Sequence, residues 1–175
     1  WQAIVAKNDT AYRLGICTDT NYCTSGTLNA FVFAMNSGVG ADQSIGSSQV
    51  PVVGTFYYVT ATLDGSNLKM YINGTQDKST PSTKTISTNS NNLTIGQNAI
   101  GTRNWQGVID ETRISNVARS ATWISTEYAN QNSPQTFYSI GQQENSVYYA
   151  SPTSTAAGSG IIDTVWNVGW GTPNG

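Results

Sequence analysis

The residues able to do chemistry in this chain are few: two cysteines, ten carboxylates, eight Lys and Arg, five tryptophans and no histidine at all. Without His the usual general base is missing, and Ser-His-Asp and Cys-His arrangements are ruled out. Hydrolysis of a glycosidic bond needs two carboxylates facing each other across a cleft. Asp110 and Glu111 are adjacent and point to opposite faces of a strand. Glu111 and Arg113 are two apart and share a face, which suits an ion pair rather than catalysis. No Gly-rich phosphate cradle occurs. The chain is therefore expected not to be an enzyme.

Cys17 and Cys23 flank the polar stretch Thr18-Asp19-Thr20-Asn21-Tyr22, suited to a hairpin tip. Strand ends at such a tip come within disulfide reach. A disulfide closing so short a loop is worth roughly 2 kcal/mol in the chain-entropy model. Two thiols without His or further Cys cannot fill a zinc shell. A Cys17–Cys23 disulfide is expected, and with it an oxidising, extracellular compartment. Trp105, with neighbours Arg103 and Asn104, is the candidate for a glycan site, because rings stack on apolar sugar faces while amides bond hydroxyls. The same Trp also suits a core or edge position.

Composition narrows the class further. Charged residues are 10% of 175, against about 25% in an average soluble domain, and Thr, Ser and Asn carry the polar surface. The net charge of −2 and scattered cations argue against nucleic acid. No apolar run approaches the ~20 residues of a membrane span. The chain opens at Trp1 in what reads as a strand, so it is expected to be a processed or partial product, any secretory signal lying upstream. Sequons at Asn8, Asn73 and Asn92 fit secretion but arise readily by chance.

The elements that must position these residues are strands. Period-2 alternation recurs between turn signals: Ala3 to Ala6, Tyr12 to Cys17, Thr27 to Met35, Thr55 to Leu63, Leu68 to Ile72, Leu93 to Gly96 and Val108 to Ile114. Asp64-Gly65 and Asn73-Gly74 are hairpin turns. Ser79 to Asn92 reads as a long polar loop with one edge strand. One short helix is predicted near 120–130, capped by Ser120, with Trp123, Ile124 and Tyr128 on its apolar face. The fold class is all-β, a two-sheet antiparallel jelly-roll sandwich.

Leu63-Asp64-Gly65-Ser66-Asn67-Leu68-Lys69-Met70-Tyr71-Ile72-Asn73-Gly74 is similar to the "DG…LKLYVNG" hairpin of laminin-G-like, concanavalin A-like jelly rolls. Leu93-Thr94-Ile95-Gly96 and Gly107-Val108-Ile109-Asp110-Glu111-Thr112-Arg113-Ile114-Ser115 resemble that family's "L.IG" and "G.IDEVRI" strands, and Asn116 to Ser120 its passage into a short helix. The resemblance covers residues 1–141. It implies two curved antiparallel sheets and a binding or adhesive role. It also implies strands upstream of Ala3 that pair with the "G.IDEVRI" strand and close the sandwich; this chain starts after them. Calcium accompanies binding in the family, but one carboxylate, Asp64, falls short of the six to eight oxygens needed, so no metal or cofactor is expected.

Residues 142–175 form a C-terminal extension: a Ser/Thr/Ala/Gly-rich connector and then a candidate strand at 160–168, with Ile161, Ile162, Val165, Trp166 and Val168 as its apolar residues. It is too apolar for a solvated tail. It suits a strand that fills the gap in its own sandwich or is donated to a neighbour, while a cleaved fragment of the same precursor is a further source of the missing strands. The expected function is a secreted, non-catalytic adhesion or structural module within a larger surface assembly, such as a filament built by strand exchange. Its partners would be copies of itself or a neighbouring extracellular subunit; the alternative is a free-standing glycan-binding lectin-like domain. Intact mass checks the disulfide: a linked Cys17–Cys23 pair takes up alkylating reagent only after reduction, whereas alkylation without reductant refutes it.

Overall fold

The computed structural model describes residues 1–19, 27–36, 43–98 and 103–141. The chain divides into two units, Trp1–Ser139 and Ile140–Gly175, and the architecture below is that of the first. Two antiparallel sheets make it up. One contains β1 (Gln2–Ala6), β2 (Tyr12–Ile16), β3 (Phe31–Met35), β4 (Gln43–Gly46) and the two-residue β8 (Thr94–Ile95), in the order β4-β3-β2-β1-β8. The other contains β5 (Val59–Leu63), β6 (Asn67–Ile72) and β7 (Thr75–Pro81), in that order. Helices α1 (Ala121–Asn132) and α2 (Pro134–Phe137) follow. The two-sheet antiparallel sandwich with a short helix is the expected fold.

The core lies where the inner faces meet. Phe31 and Ile45 from the first sheet and Leu68, Met70 and Ile72 from the second are buried together, with Ile4, Leu14, Ile16, Phe33, Tyr57, Val59, Leu63 and Trp105 packed around them. The alternation Leu68, Met70, Ile72 along β6 is the period-2 signal of a half-buried strand. In the first sheet β1 carries an extra residue at Ile4, where the register shifts between Ala3↔Gly15 and Val5↔Leu14. Gly15 makes this bulge feasible, since a Cβ there would sit 2.1 Å from the Gln2 carbonyl oxygen.

The β6–β7 turn has both central residues at positive φ, Asn73 at 50° and Gly74 at 77°, as a two-residue hairpin requires. Gly74 has a second duty. α1 starts at the Ser120 cap, whose hydroxyl accepts from the Trp123 N–H at 3.1 Å. It buries Ile124 completely and lays Tyr128 beside Tyr58, the residue before β5, ring centroids 6.1 Å apart. A Cβ at Gly74 would come within 3.0 Å of Tyr128. The stretch expected as a loop from Ser79 begins in β7, which runs to Pro81, and the loop after it is tied down by Ser87 N–H to the Asn36 carbonyl at 3.0 Å, Asn89 to the Lys7 carbonyl at 2.9 Å and Lys7 Nζ to the Asn91 carbonyl at 2.7 Å.

β5 begins at Val59 rather than at Thr55 as expected, and three further differences from the sequence reading have physical causes. Residues 27–30 form a turn before β3 rather than strand, with Asn29 at φ 64°. β4 carries only Ile45 as a large apolar residue, too weak a period-2 signal to find. Val108 to Ile114, expected as a strand, has no ladder partner among the described residues; Glu111 sits at φ 51°, and Val108 and Ile114 are 72% and 54% exposed.

Gly74 and Gly65 together separate turn geometry from helix docking. Gly65 has φ 84° and open space around it, so Gly65→Ala should cost about 1 kcal/mol through backbone strain alone. Gly74→Ala should cost about 1–2 kcal/mol more because it also displaces Tyr128. Urea midpoints of the two variants measure the difference.

Candidate functional site

The ladder geometry of β5 defines the most unusual feature of this unit. Asn73 N–H bonds the Tyr58 carbonyl at 2.8 Å and Asp64 N–H bonds the Asn67 carbonyl at 3.1 Å, on either side of a continuous β5–β6 register. Even-numbered positions 58 to 64 therefore bond β6, and the N–H and C=O groups of Val59, Ala61 and Leu63 point out of the sheet's other edge. No strand among the described residues pairs with that edge. The side chains of Val59 and Leu63 meanwhile pack on the core.

Beside this edge lies a groove of about 830 Å³. Val5, Leu14 and Phe33 of the first sheet line it, β5 forms one wall, and the stretch from Glu111 to Arg119 forms the other. A strand residue between two sheets takes up roughly 160 Å³, from about 4.8 Å across, 3.3 Å along and 10 Å through, so the space suits about five residues in extended form. That is the length of β5. The far wall begins with the end of the segment expected as a strand, Glu111 to Ile114, and continues into the passage toward α1, where Val117 is 55% exposed. Arg113 links this wall to α1 through ion pairs with Glu111 at 3.0 Å and with Glu127. The Glu111–Arg113 pair expected from their spacing is thus present, without the strand.

The residues singled out for glycan binding are placed differently from one another. Trp105 is half-buried and packs against the core cluster; its indole N–H is buried with no partner among the described residues. Arg103 bonds the Asp9 carboxylate at 2.6 Å, and Asn104 is exposed. Asp9 is a hub: its Oδ1 also accepts from Arg13 at 2.8 Å and from Asn98 at 2.9 Å. Backbone bonds complete the clamp, with Ala3 N–H to the Arg103 carbonyl at 3.0 Å and Trp105 N–H to the Gly96 carbonyl at 2.8 Å. These contacts fasten the segment around Trp105 to β1. The single-sequence pattern held no sign of this hub, because its members are up to 94 residues apart.

Asp64 is fully engaged as a turn residue. Its Oδ1 accepts from Ser66 N–H at 2.9 Å and Asn67 N–H at 2.7 Å, and its Oδ2 from Lys69 Nζ at 2.7 Å. The Lys69 bond, with the two backbone bonds, lowers its pKa from 3.8 to about 2. Both oxygens are taken, and no cluster of three or more His, Cys, Asp or Glu occurs among the described residues. Cys17 is completely buried and is not a free thiol. Cys23 and the extension residues Ile161, Ile162, Val165, Trp166 and Val168 lie outside the described residues. No helix among the described residues is long and apolar enough to cross a membrane.

Comparison with known proteins gives one family match: residues 1–125 match the concanavalin A-like lectin/glucanases superfamily. Among solved structures, the chain is similar to an S-layer domain-containing protein from Clostridium thermocellum, at 25% identity and a TM-score of 0.41 over 69% of this chain. The match spans 57% of that protein's solved chain. No curated protein matches.

Asp64 carries a pH prediction. A carboxylate with a depressed folded pKa stabilises the fold above its unfolded value and loses that contribution as pH falls through the folded one. The turn should weaken between about pH 4 and pH 2. A carbon-detected NMR titration should put the Asp64 midpoint near 2, and Lys69→Met should move it back toward 3.8. An unshifted midpoint in the unaltered protein would refute the bonding scheme.

Proposed function

The chain belongs to the concanavalin A-like lectin/glucanases superfamily, and from that premise we propose that it is a non-catalytic extracellular module, joined into a larger surface assembly by a β-strand added at its open groove. The observation that carries this reading is the edge of β5, unpaired among the described residues, above an apolar floor. An added strand would satisfy the outward N–H and C=O groups of Val59, Ala61 and Leu63 while its alternate side chains entered the sandwich. That is β-augmentation: backbone bonds supply affinity, and alternate pockets supply selectivity.

The groove does not favour catalysis. Glu111 is the sole carboxylate among the described residues that line it, and Arg113 holds it. Glycoside hydrolysis needs a second carboxyl about 5–9 Å away. Free-standing glycan binding draws less support than assembly. Trp105 spends its ring on the core and Arg103 its charge on Asp9, which leaves Asn104 as the exposed member of that trio. Low charge fits assembly as well, since copies with a net charge of only −2 repel one another weakly.

The edge is tested by removing one hydrogen atom. Proline at an edge position whose N–H points outward leaves the existing ladder intact and blocks a new one. Ala61→Pro should therefore keep the β5–β6 pairing and the near-UV signature of the folded chain, yet abolish oligomers in sedimentation velocity and fibres in electron microscopy. Oligomers that persist in folded Ala61→Pro would overturn the reading. Thr62→Pro, which removes a β5–β6 bond instead, should lower thermal stability far more.

A further inference from the structure

We propose that the strand received by this groove is the segment Ile162–Val168 of a second copy of the same chain, entering with Ile162, Trp166 and Val168 toward the core. The proposal rests on the strand-addition reading above and names its donor. Extended chain alternates its side chains. In this segment Ile162, Thr164, Trp166 and Val168 share one face, and Asp163, Val165 and Asn167 share the other. The first face is apolar at three of four positions and suits a floor of Val5, Leu14 and Phe33. The second places its polar members, Asp163 and Asn167, where solvent would lie. A shift of one residue would bury Asp163, so the register is specified.

Length and charge favour this donor. Seven residues in extended form span about 23 Å, enough to run the length of β5 with a residue over at each end. The 20 residues from 142 to 161 separate the segment from Gly141. Twenty residues in extended form reach at most about 66 Å, enough to span to an adjoining domain. Residues 142–175 contain Glu144 and Asp163 and no Lys or Arg, so the whole net charge of −2 lies there. The groove lining holds Lys84, Arg113 and Arg119 against Glu111, but Arg113 is paired with Glu111 and Glu127 and Lys84 is itself engaged, so the contrast in sign rests on Arg119. The signs are complementary, though attraction at this range is screened within about one Debye length and sets direction more than strength.

The donor is taken from a second copy, and insertion of the segment into its own groove is the rival outcome that the experiment below separates. A donation from one copy to the next repeats the same contact without closing, and so builds a filament.

Mixing two full-length variants tests the donor. Ala61→Pro retains the donor segment and blocks the acceptor edge; Trp166→Asp retains the edge and spoils the donor. The unaltered chain should form concentration-dependent oligomers, each variant alone should sediment as a monomer, and an equimolar mixture should give a 1:1 dimer that grows no further. Oligomers from Trp166→Asp alone, with Ala61→Pro monomeric, would overturn the donor assignment and leave strand addition standing. Oligomers from both variants would overturn strand addition itself. A monomeric unaltered chain whose melting temperature falls on Trp166→Asp would also overturn the proposal, because the segment would then fill its own groove. A synthetic peptide of residues 160–168 guards against misfolding of the Pro variant: added to Trp166→Asp it should raise the melting temperature, and no shift at saturating peptide would count against the proposal.

Discussion

Everything unusual about this sandwich follows from one constraint: backbone N–H and C=O groups at a sheet edge must be paired, covered or protected. The two sheets have four edges. β4 is four residues long and β8 only two, and short edges offer little to pair with. β7 carries Asp77, Lys78 and Pro81, the charges and proline that discourage a further strand. β5 reads Val-Thr-Ala-Thr-Leu and has none of these devices. Its outward backbone groups adjoin a groove with an apolar floor of Val5, Leu14 and Phe33. Three edges are protected by length or chemistry, and the fourth is built like the interior of a sheet.

The imbalance between the sheets has the same origin. Five strands face three, so the inner face of the larger sheet is only partly covered by the smaller one. Phe31 and Ile45 find partners in Leu68, Met70 and Ile72, whereas Val5, Leu14 and Phe33 line the open groove. The Glu111–Arg119 stretch runs along the opposite wall without joining a ladder, held at Arg113 by Glu111 and Glu127. Filling the groove would restore the two-sided cover that a β-sandwich needs.

The features legible in the sequence were those set by neighbouring residues. Asn73-Gly74 and Asp64-Gly65 impose positive φ, Ser120 caps its helix, and Leu68-Met70-Ile72 alternates; each could be located from a few consecutive residue types. The segment Val108–Ile114 was read as a strand because its side chains alternate. Alternation records what a strand needs, though, and a ladder also needs a neighbour. The Asp9 hub stayed hidden for the complementary reason: Arg13, Asn98 and Arg103 carry no local pattern, and only folding brings them to one carboxylate. Trp105 was ambiguous for want of its third dimension. A tryptophan in a polar loop reads the same whether its ring faces solvent or the core.

The scarcity of charge ties the surface to the edge. Proteins commonly keep sheet edges apart with Lys and Glu, and keep copies apart with net charge. Here ionic groups are few, and several are consumed internally: Asp9 by Arg13 and Arg103, Asp64 by Lys69, Glu111 and Glu127 by Arg113. What remains on the surface is mostly Ser, Thr and Asn, whose hydroxyls and amides tolerate close approach without the desolvation penalty of a charge. A surface of that kind repels a second copy little at contact. Selectivity must then come from backbone register and from the shape of an apolar groove, and those are the properties the β5 edge possesses.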